Sequence, residues 1–382
     1  MQWHTNLRLP EPISVPERRW RVAVDDRGCI AALEPLEVGA TASGQDWQGD
    51  WLSPAGVDLQ INGGLGLPFP ELKPEQLPRL LELLDLLWCD GVEAIAPTFV
   101  TCGVEPLRQG LAVLCEARRQ HRPGRCRLLG AHLEGPFLAP QKRGAHPAEH
   151  LCAPSVTELQ RRISGFEDDI ALVTLAPELP GAEAVIAALR QCGVVVSLGH
   201  SAADERAARL AYQQGVGMIT HCFNAMAGLH HRAPGPVGGL LGSPPVALGV
   251  IADGIHIAPA MAALLQRLFP EQVVLVSDAL APYGLPAGTY PWDERSIVVA
   301  DGTCRLDDRT LAGTTLPLLE GVVRLASWTG AVGAAIRSAT VLPRQVLGEQ
   351  RPLSQQLLGL VFNETLRWHQ PSGGPLSWQR NG

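Results

Sequence analysis

From residue 52 onward, short apolar runs alternate with longer stretches whose apolar residues recur at helical spacing. Eight runs stand out. The first, "WLSPAGVDL", reaches Asp58; "GVEAIAPTF" starts at Gly91, "RLLGAHLEG" at Arg127 and "IALVTLAPE" at Ile170. "GVVVSLGHS" follows from Gly193, "GMITHCFNA" from Gly217, "VALGVIADG" from Val246 and "QVVLVSDAL" from Gln272. Their near-continuous apolar character predicts parallel strands covered on both faces. Between them, "EQLPRLLELLDLLWCDG" (75–91) predicts a helix ending at Gly91, and "SAADERAARLAYQQG" (201–215) a helix with a Ser cap and Gly215 at its end. "VTELQRRI" and "AEAVIAALRQCG" read the same way. Residues 225–245, full of Gly, Pro and His, break the alternation and read as a long functional loop.

Eight strand–helix units over roughly 250 residues are what a (β/α)8 TIM-like barrel needs. A doubly wound open sheet is the competing arrangement. The flanks differ. Residues 1–51 and 285–311 contain short alternating segments with hairpin-like turns, such as "RWRVAVDDRGCIAALEPL" and "RSIVVADGTCRL". The expected layout is a barrel over 52–345, with a small β-sandwich domain from 1–51 completed by a partly irregular 346–382. Residues 285–311 either join the small domain or form a hairpin before the last helix. The Pro/Gly/Ser-rich tail after "LVFNETLRWHQ" reads as frayed.

The 382 residues, 46% hydrophobic and 18% charged, suffice for one large domain and a small one. A net charge of -7 argues against nucleic acid as a partner, but not against a phosphorylated small molecule. Nine Cys without a CxxC pair suit reduced thiols in the cytoplasm. The N-terminus lacks a basic stretch followed by an apolar one, so no signal peptide is expected, and no apolar run predicts a membrane span.

At the end of each predicted strand stands a polar residue: Asp58, Thr98, Glu134, Glu178, His200, His221, Asp253 and Asp278. Any one alone reads as a cap or a hydrogen-bonded structural residue. Eight in register favour the barrel, whose strand ends converge on one mouth. Glu134, His200 and His221 make a three-ligand set that leaves a position for water, as at a catalytic Zn²⁺ or Fe²⁺. Asp278 can accept and return a proton, or cap the next segment of chain. Asp253 reads equally as an Asx-turn. Arg232, His230, His231 and His256 offer donors to an anion near the mouth.

These segments resemble one family. "GVDLQINGG", "GAHLEGPFL", "KRGAH", "LGHS", "THCFNAM", "ADGIH", "VSDAL" and "LAGTT" fall in the order and spacing of N-acetylglucosamine-6-phosphate deacetylases, in the amidohydrolase superfamily, across about residues 50–345. The resemblance implies that Glu134, His200 and His221 bind a divalent metal and that Asp278 is the acid/base. It implies substrate contacts from Ala145, His146, Asn224, Ala225, Asp253, Gly254 and Ile255. His146 would polarise the acetyl carbonyl. Arg232 and His256 would bind phosphate, and Ala312, Gly313 and Thr314 would form the loop over the acetyl group. It further implies a homodimer with a shared phosphate pocket. Many amidohydrolases carry His-x-His at strand one; here Gln60 and Asn62 stand there, so one metal per subunit is expected, Zn²⁺ first, with Fe²⁺, Co²⁺ or Mn²⁺ as alternatives. The family's closing hairpin is not visible in "LSQQLLGLVFNETLRWHQ". Another amidohydrolase, dihydroorotase-like or acting on another N-acyl amide, and a non-catalytic sugar-phosphate-binding barrel are the rival readings.

Overall fold

The computed structural model describes residues 1–37 and 43–381. Eight parallel strands form the centre: β1 (Gly56–Ile61), β2 (Val92–Val100), β3 (Ala131–Glu134), β4 (Ile170–Leu175), β5 (Val195–Leu198), β6 (Met218–Ile219), β7 (Ala247–Val250) and β8 (Val273–Leu275). Each pairs with the next in parallel register. The ring closes between β8 and β1. The Asp278 N–H donates to the Gln60 carbonyl at 2.9 Å, and the Asn62 N–H to that of Ala279 at 2.7 Å. The open-sheet alternative is therefore set aside, and closure itself brings the two amide side chains beside Asp278.

Helices α1 (Leu77–Cys89), α2 (Val104–Arg119), α3 (Val156–Ile163), α4 (Ala182–Gln191) and α5 (Glu205–Gln213) connect the first six strands. The long loop after β6 holds only the short α6 (Gly235–Gly238); α7 (Pro259–Leu268) and α8 (Leu318–Thr329) come after β7 and β8. The expected Ser cap of α5 is corrected. Asp204 caps it, accepting from the Ala207 N–H at 2.8 Å, whereas the Ser201 hydroxyl donates to Glu178 at 2.7 Å. Among the described residues, no helix is long and apolar enough to cross a membrane.

The barrel interior is layered, because residues two apart on a strand share a face. Ala96, Leu172, Met218 and Val274 belong to one buried apolar cluster with Leu342. Two residues further along stand Thr98, Thr174 and Thr220, joined by His132 and Ser197. His132 Nε2 lies 2.7 Å from Thr174 Oγ1, which lies 2.7 Å from Thr220 Oγ1, itself 2.6 Å from Ser197 Oγ. Burial pushes the His132 imidazole down to about 4, so it sits there neutral. This closed polar layer is the floor on which the mouth residues stand.

The flanks form three further sheets. Ile30–Leu36, Arg19–Val24, Gln2–Leu7 and Gln45–Asp46 make one, in that order. Trp51–Ser53, Leu366–His369 and Ser377–Arg380 make another. Residues 285–311 join neither. Gly288–Trp292, Arg295–Ala300, Thr303–Leu306 and Leu311–Thr314 form their own antiparallel sheet ahead of α8. The tail is not frayed: Ser377–Arg380 pairs with Leu366–His369, and the Arg380 guanidinium donates to the Trp88 carbonyl at 2.8 Å. Alternation in "LSWQR" is too short to announce a strand without its partner.

Candidate active site

Glu134, His200 and His221 meet at the mouth. His200 Nε2 lies 3.1 Å and His221 Nε2 3.0 Å from Glu134 Oε1, and the two nitrogens lie 3.1 Å apart. All three side chains are buried. His200 Nδ1 faces the Lys142 carbonyl at 2.8 Å. A carbonyl only accepts, so Nδ1 carries the proton and Nε2 turns a lone pair inward. Lone pairs converging on one point suit a cation. Three ligands of a tetrahedral zinc, each about 2.05 Å from it, stand about 3.3 Å apart, close to the separations here. The donor set therefore fits a divalent metal.

Their close approach shifts how these groups titrate. Burial pushes the Glu134 carboxyl up, but the His200 and His221 imidazoles packed against it carry it well below the usual range. Burial lowers the His221 imidazole, yet its bond to Glu134 leaves it raised. His200, His221 and Asp278 all have positive φ, at 47°, 28° and 49°. That left-handed region is uncommon for side chains of this size, and it clusters where function demands it. Each of these residues comes two or three positions after a strand, and the turn aims its side chain across the mouth.

Asp278 is held through one oxygen. Asn62 Nδ2 donates to Oδ1 at 2.7 Å, and Gln60 Nε2 to the same atom at 3.1 Å and to Glu134 Oε1 at 3.3 Å. The amides thus present N–H groups to the two carboxylates. Burial, and then the Glu134 charge, raises the Asp278 carboxyl.

A pocket of about 340 Å³ opens over this centre. Asn62, Glu134, His200, His221 and Asp278 line it, as do Ala145, His146, Asn224, Ala225, His256 and Ala312. His146 Nε2 lies 3.8 Å from Glu134 Oε2, and burial holds its imidazole well below its ordinary value. Asp253 forms the Asx-turn and also pairs with a ring that lines the pocket. Its carboxylate accepts from the Ile255 and His256 N–H groups at 2.8 Å each, as in an Asx-turn, and pairs with His256 Nδ1 at 2.6 Å, aiming that ring. Gly313 and Thr314 lie behind the wall: the Thr314 N–H donates to the Asp278 carbonyl at 3.0 Å. Gly254 and the exposed Ile255 are not part of the lining, and Arg232 is exposed outside it, as are His230 and His231.

Four residues of the mouth escaped the sequence reading. Thr101 holds His146 Nδ1 through its backbone N–H (3.3 Å) and hydroxyl (2.9 Å). The Lys142 carbonyl orients His200, His132 anchors the floor, and Trp292 of the inserted sheet walls the pocket. Only His132, two residues before Glu134 on the same strand face, carried a signal. Asp58 and Glu178 have other roles. Asp58 lies inside β1, accepting from the Gln60 and Ser277 N–H groups, and Glu178 anchors the loop ahead of α5.

No family model matches the chain. It is 36% identical to the N-acetylglucosamine-6-phosphate deacetylase of Mus musculus over 352 residues, 88% of this chain and 85% of the relative. The chain belongs to the N-acetylglucosamine-6-phosphate deacetylase family. The N-acetylgalactosamine-6-phosphate deacetylase of Escherichia coli O157:H7 is 35% identical over 322 residues, covering 84% and 83%. The solved N-acetyl-D-glucosamine-6-phosphate deacetylase of Mycobacterium smegmatis superposes with a TM-score of 0.82 at 26% identity, covering all of this chain and 98% of its own. Membership in this deacetylase family makes the chain a hydrolase of the amidohydrolase fold and sets aside the non-catalytic reading.

Proposed function

We propose that this enzyme hydrolyses the acetamido group of N-acetylglucosamine 6-phosphate to glucosamine 6-phosphate and acetate, in amino-sugar catabolism. The observation that carries the reading is Asp278 fixed beside the Glu134, His200 and His221 cluster in one buried pocket. A divalent cation held by those three side chains, Zn²⁺ first and Fe²⁺, Co²⁺ or Mn²⁺ as alternatives, supplies the Lewis acidity that makes water a nucleophile near neutral pH.

Asp278 takes the proton from water as its oxygen attacks the acyl carbon. It then delivers that proton to the leaving amine, without which the tetrahedral adduct collapses backwards. With Oδ1 committed to two amides, Oδ2 is the atom free to do this. His146 supports the oxyanion. The Thr101 N–H pointing at Nδ1 leaves the proton on Nε2, the atom facing the pocket. His256, aimed by Asp253 through the turn that carries Gly254 and Ile255, and Arg232 bind the phosphate, while Ala145, Asn224 and Ala225 contact the sugar. Ala312 closes over the acetyl group, backed by Gly313 and Thr314. Phosphate binding far from the reacting carbon orients the amide.

Arg232 stands exposed outside its own chain's pocket, which supports a homodimer in which it serves the neighbouring subunit. Nine unpaired cysteines support a cytoplasmic setting. The galactosamine epimer is the second substrate to test, because the E. coli relative carries that name. The phosphate assignment is tested by acetate release from N-acetylglucosamine with and without the 6-phosphate. Arg232→Ala should raise KM for the phosphorylated sugar by about tenfold or more and leave the free sugar unchanged. Equal loss on both sugars contradicts the phosphate role.

A further inference from the structure

A second cavity, of about 190 Å³, opens beside the reaction centre and shares Asn62, Val100 and Trp292 with the first. The rest of its wall is largely apolar, with Pro70, Pro106, Pro147, Leu280 and Ile297. Its direction is set by the groups it borders. Asn62 donates to Asp278, and Thr101, also in its wall, holds the His146 ring. It therefore lies beside the two side chains proposed to act on the amide, across a wall shared with their pocket. Asn224, Ala225 and His256, the proposed sugar and phosphate contacts, line only the first cavity.

An amide carbon bears two substituents besides its oxygen. With the sugar nitrogen directed toward His256, the acyl chain faces the second cavity. The charges at its edge select the occupant. Glu71 is exposed to solvent and the Asp293 carboxylate is paired with Arg295 at 2.6 Å, so the apolar wall offers a charged occupant no partner and accepts a neutral chain. At about 30 Å³ per water-sized group, the space holds roughly six heavy atoms.

We propose that this cavity is an acyl-chain subsite. The enzyme hydrolyses amino-sugar phosphates carrying straight N-acyl chains of about four to six carbons, in addition to acetyl. The inference rests on the amide-hydrolase reading. The reaction balances with water alone: its oxygen bonds to the acyl carbon, the C–N bond breaks, and the proton passes to the nitrogen. A carboxylic acid and a free amine result. Each methylene moved from water into such a wall is worth about fourfold in kcat/KM.

The test uses the full-length, metal-loaded enzyme and measures amine release from N-acetyl-, N-butyryl- and N-hexanoylglucosamine 6-phosphate. Gly103 borders the second cavity only. Its φ of -63° admits any side chain, and a Cβ there would meet Pro106 and His150 at 3.4–3.9 Å, in ordinary contact. The wild type should cleave the longer amides at rates comparable to or above acetyl. Gly103→Leu should lower the butyryl-to-acetyl ratio about tenfold or more, the equivalent of about two lost methylenes, and Gly103→Ala should lower it less. A wild type that cleaves acetyl alone overturns the subsite and leaves the deacetylase reading standing, as does a ratio that Gly103→Leu leaves unchanged. Cleavage of none of the three overturns both.

Discussion

Asp58 and Asp278 are both buried carboxyls near the mouth, and their surroundings give them different tasks. Asp58 accepts backbone N–H groups, and burial pushes its carboxyl up to about 7. Unfolded, it ionises near its ordinary value of 3.8. Its contribution to stability is therefore complete below pH 4 and is lost as pH rises toward 7, up to about 4 kcal/mol. Asp58→Asn, which keeps the acceptor oxygen, should raise Tm more at pH 8 than at pH 4. A Tm gain independent of pH contradicts this. Gln60 and Asn62 are legible in "GVDLQINGG" as replacements for metal-binding imidazoles. Their hydrogen bonds explain the replacement: they point N–H groups, not lone pairs, at Glu134 and Asp278. Metal analysis should find one tightly bound equivalent per chain, and two would contradict it. Thr101 and the Lys142 carbonyl were illegible, because any hydroxyl or carbonyl can do their work and only the fold brings them to His146 and His200.

At the scale of elements, apolar runs separated by helical periodicity announced the barrel strands, and Gly91 and Gly215 fall two residues past the ends of α1 and α5. Partnership was harder to read. The alternation in 285–311 predicts strands but not which sheet they join, since register depends on a distant edge. That edge is the site itself. Leu311–Thr314 runs beside Asp278–Leu280, and Ala145 and Leu280 share an apolar cluster with Ile297 and Val299. Gly313, at φ 153°, is needed for this approach, because a Cβ there would lie 2.5 Å from the Asp278 carbonyl oxygen. Gly313→Ala should shift that carbonyl and reduce kcat by about tenfold or more, as sub-ångström misplacement does, with metal content unchanged. An unaltered kcat means the strand does not position Asp278.

At the scale of the molecule, we read 52–345 as the catalytic barrel, with 1–51 and 346–382 as a small domain packed against it. Leu7, Trp20, Ile30 and Trp47 pack with Val341, Leu353 and Phe362 in one core. The C-terminal strand reaches the barrel too: the buried Leu366, Trp368 and Leu376 belong to the barrel's own cluster, and Trp378 packs against Gly91. Removing residues 376–382 should therefore cost several kcal/mol and lower Tm by roughly 5–10 °C. No change in Tm would show the tail to be dispensable.

In the proposed reaction, Asp278 carries the proton beside a metal that it does not itself hold. The decisive measurement sets metal content against acetate release from N-acetylglucosamine 6-phosphate, for the wild type and Asp278→Asn side by side. The wild type should carry one divalent ion and release acetate. The variant should keep the ion and lose turnover by about a hundredfold or more. Near-normal kcat in the variant, or a metal-loaded wild type that releases no acetate, would contradict it.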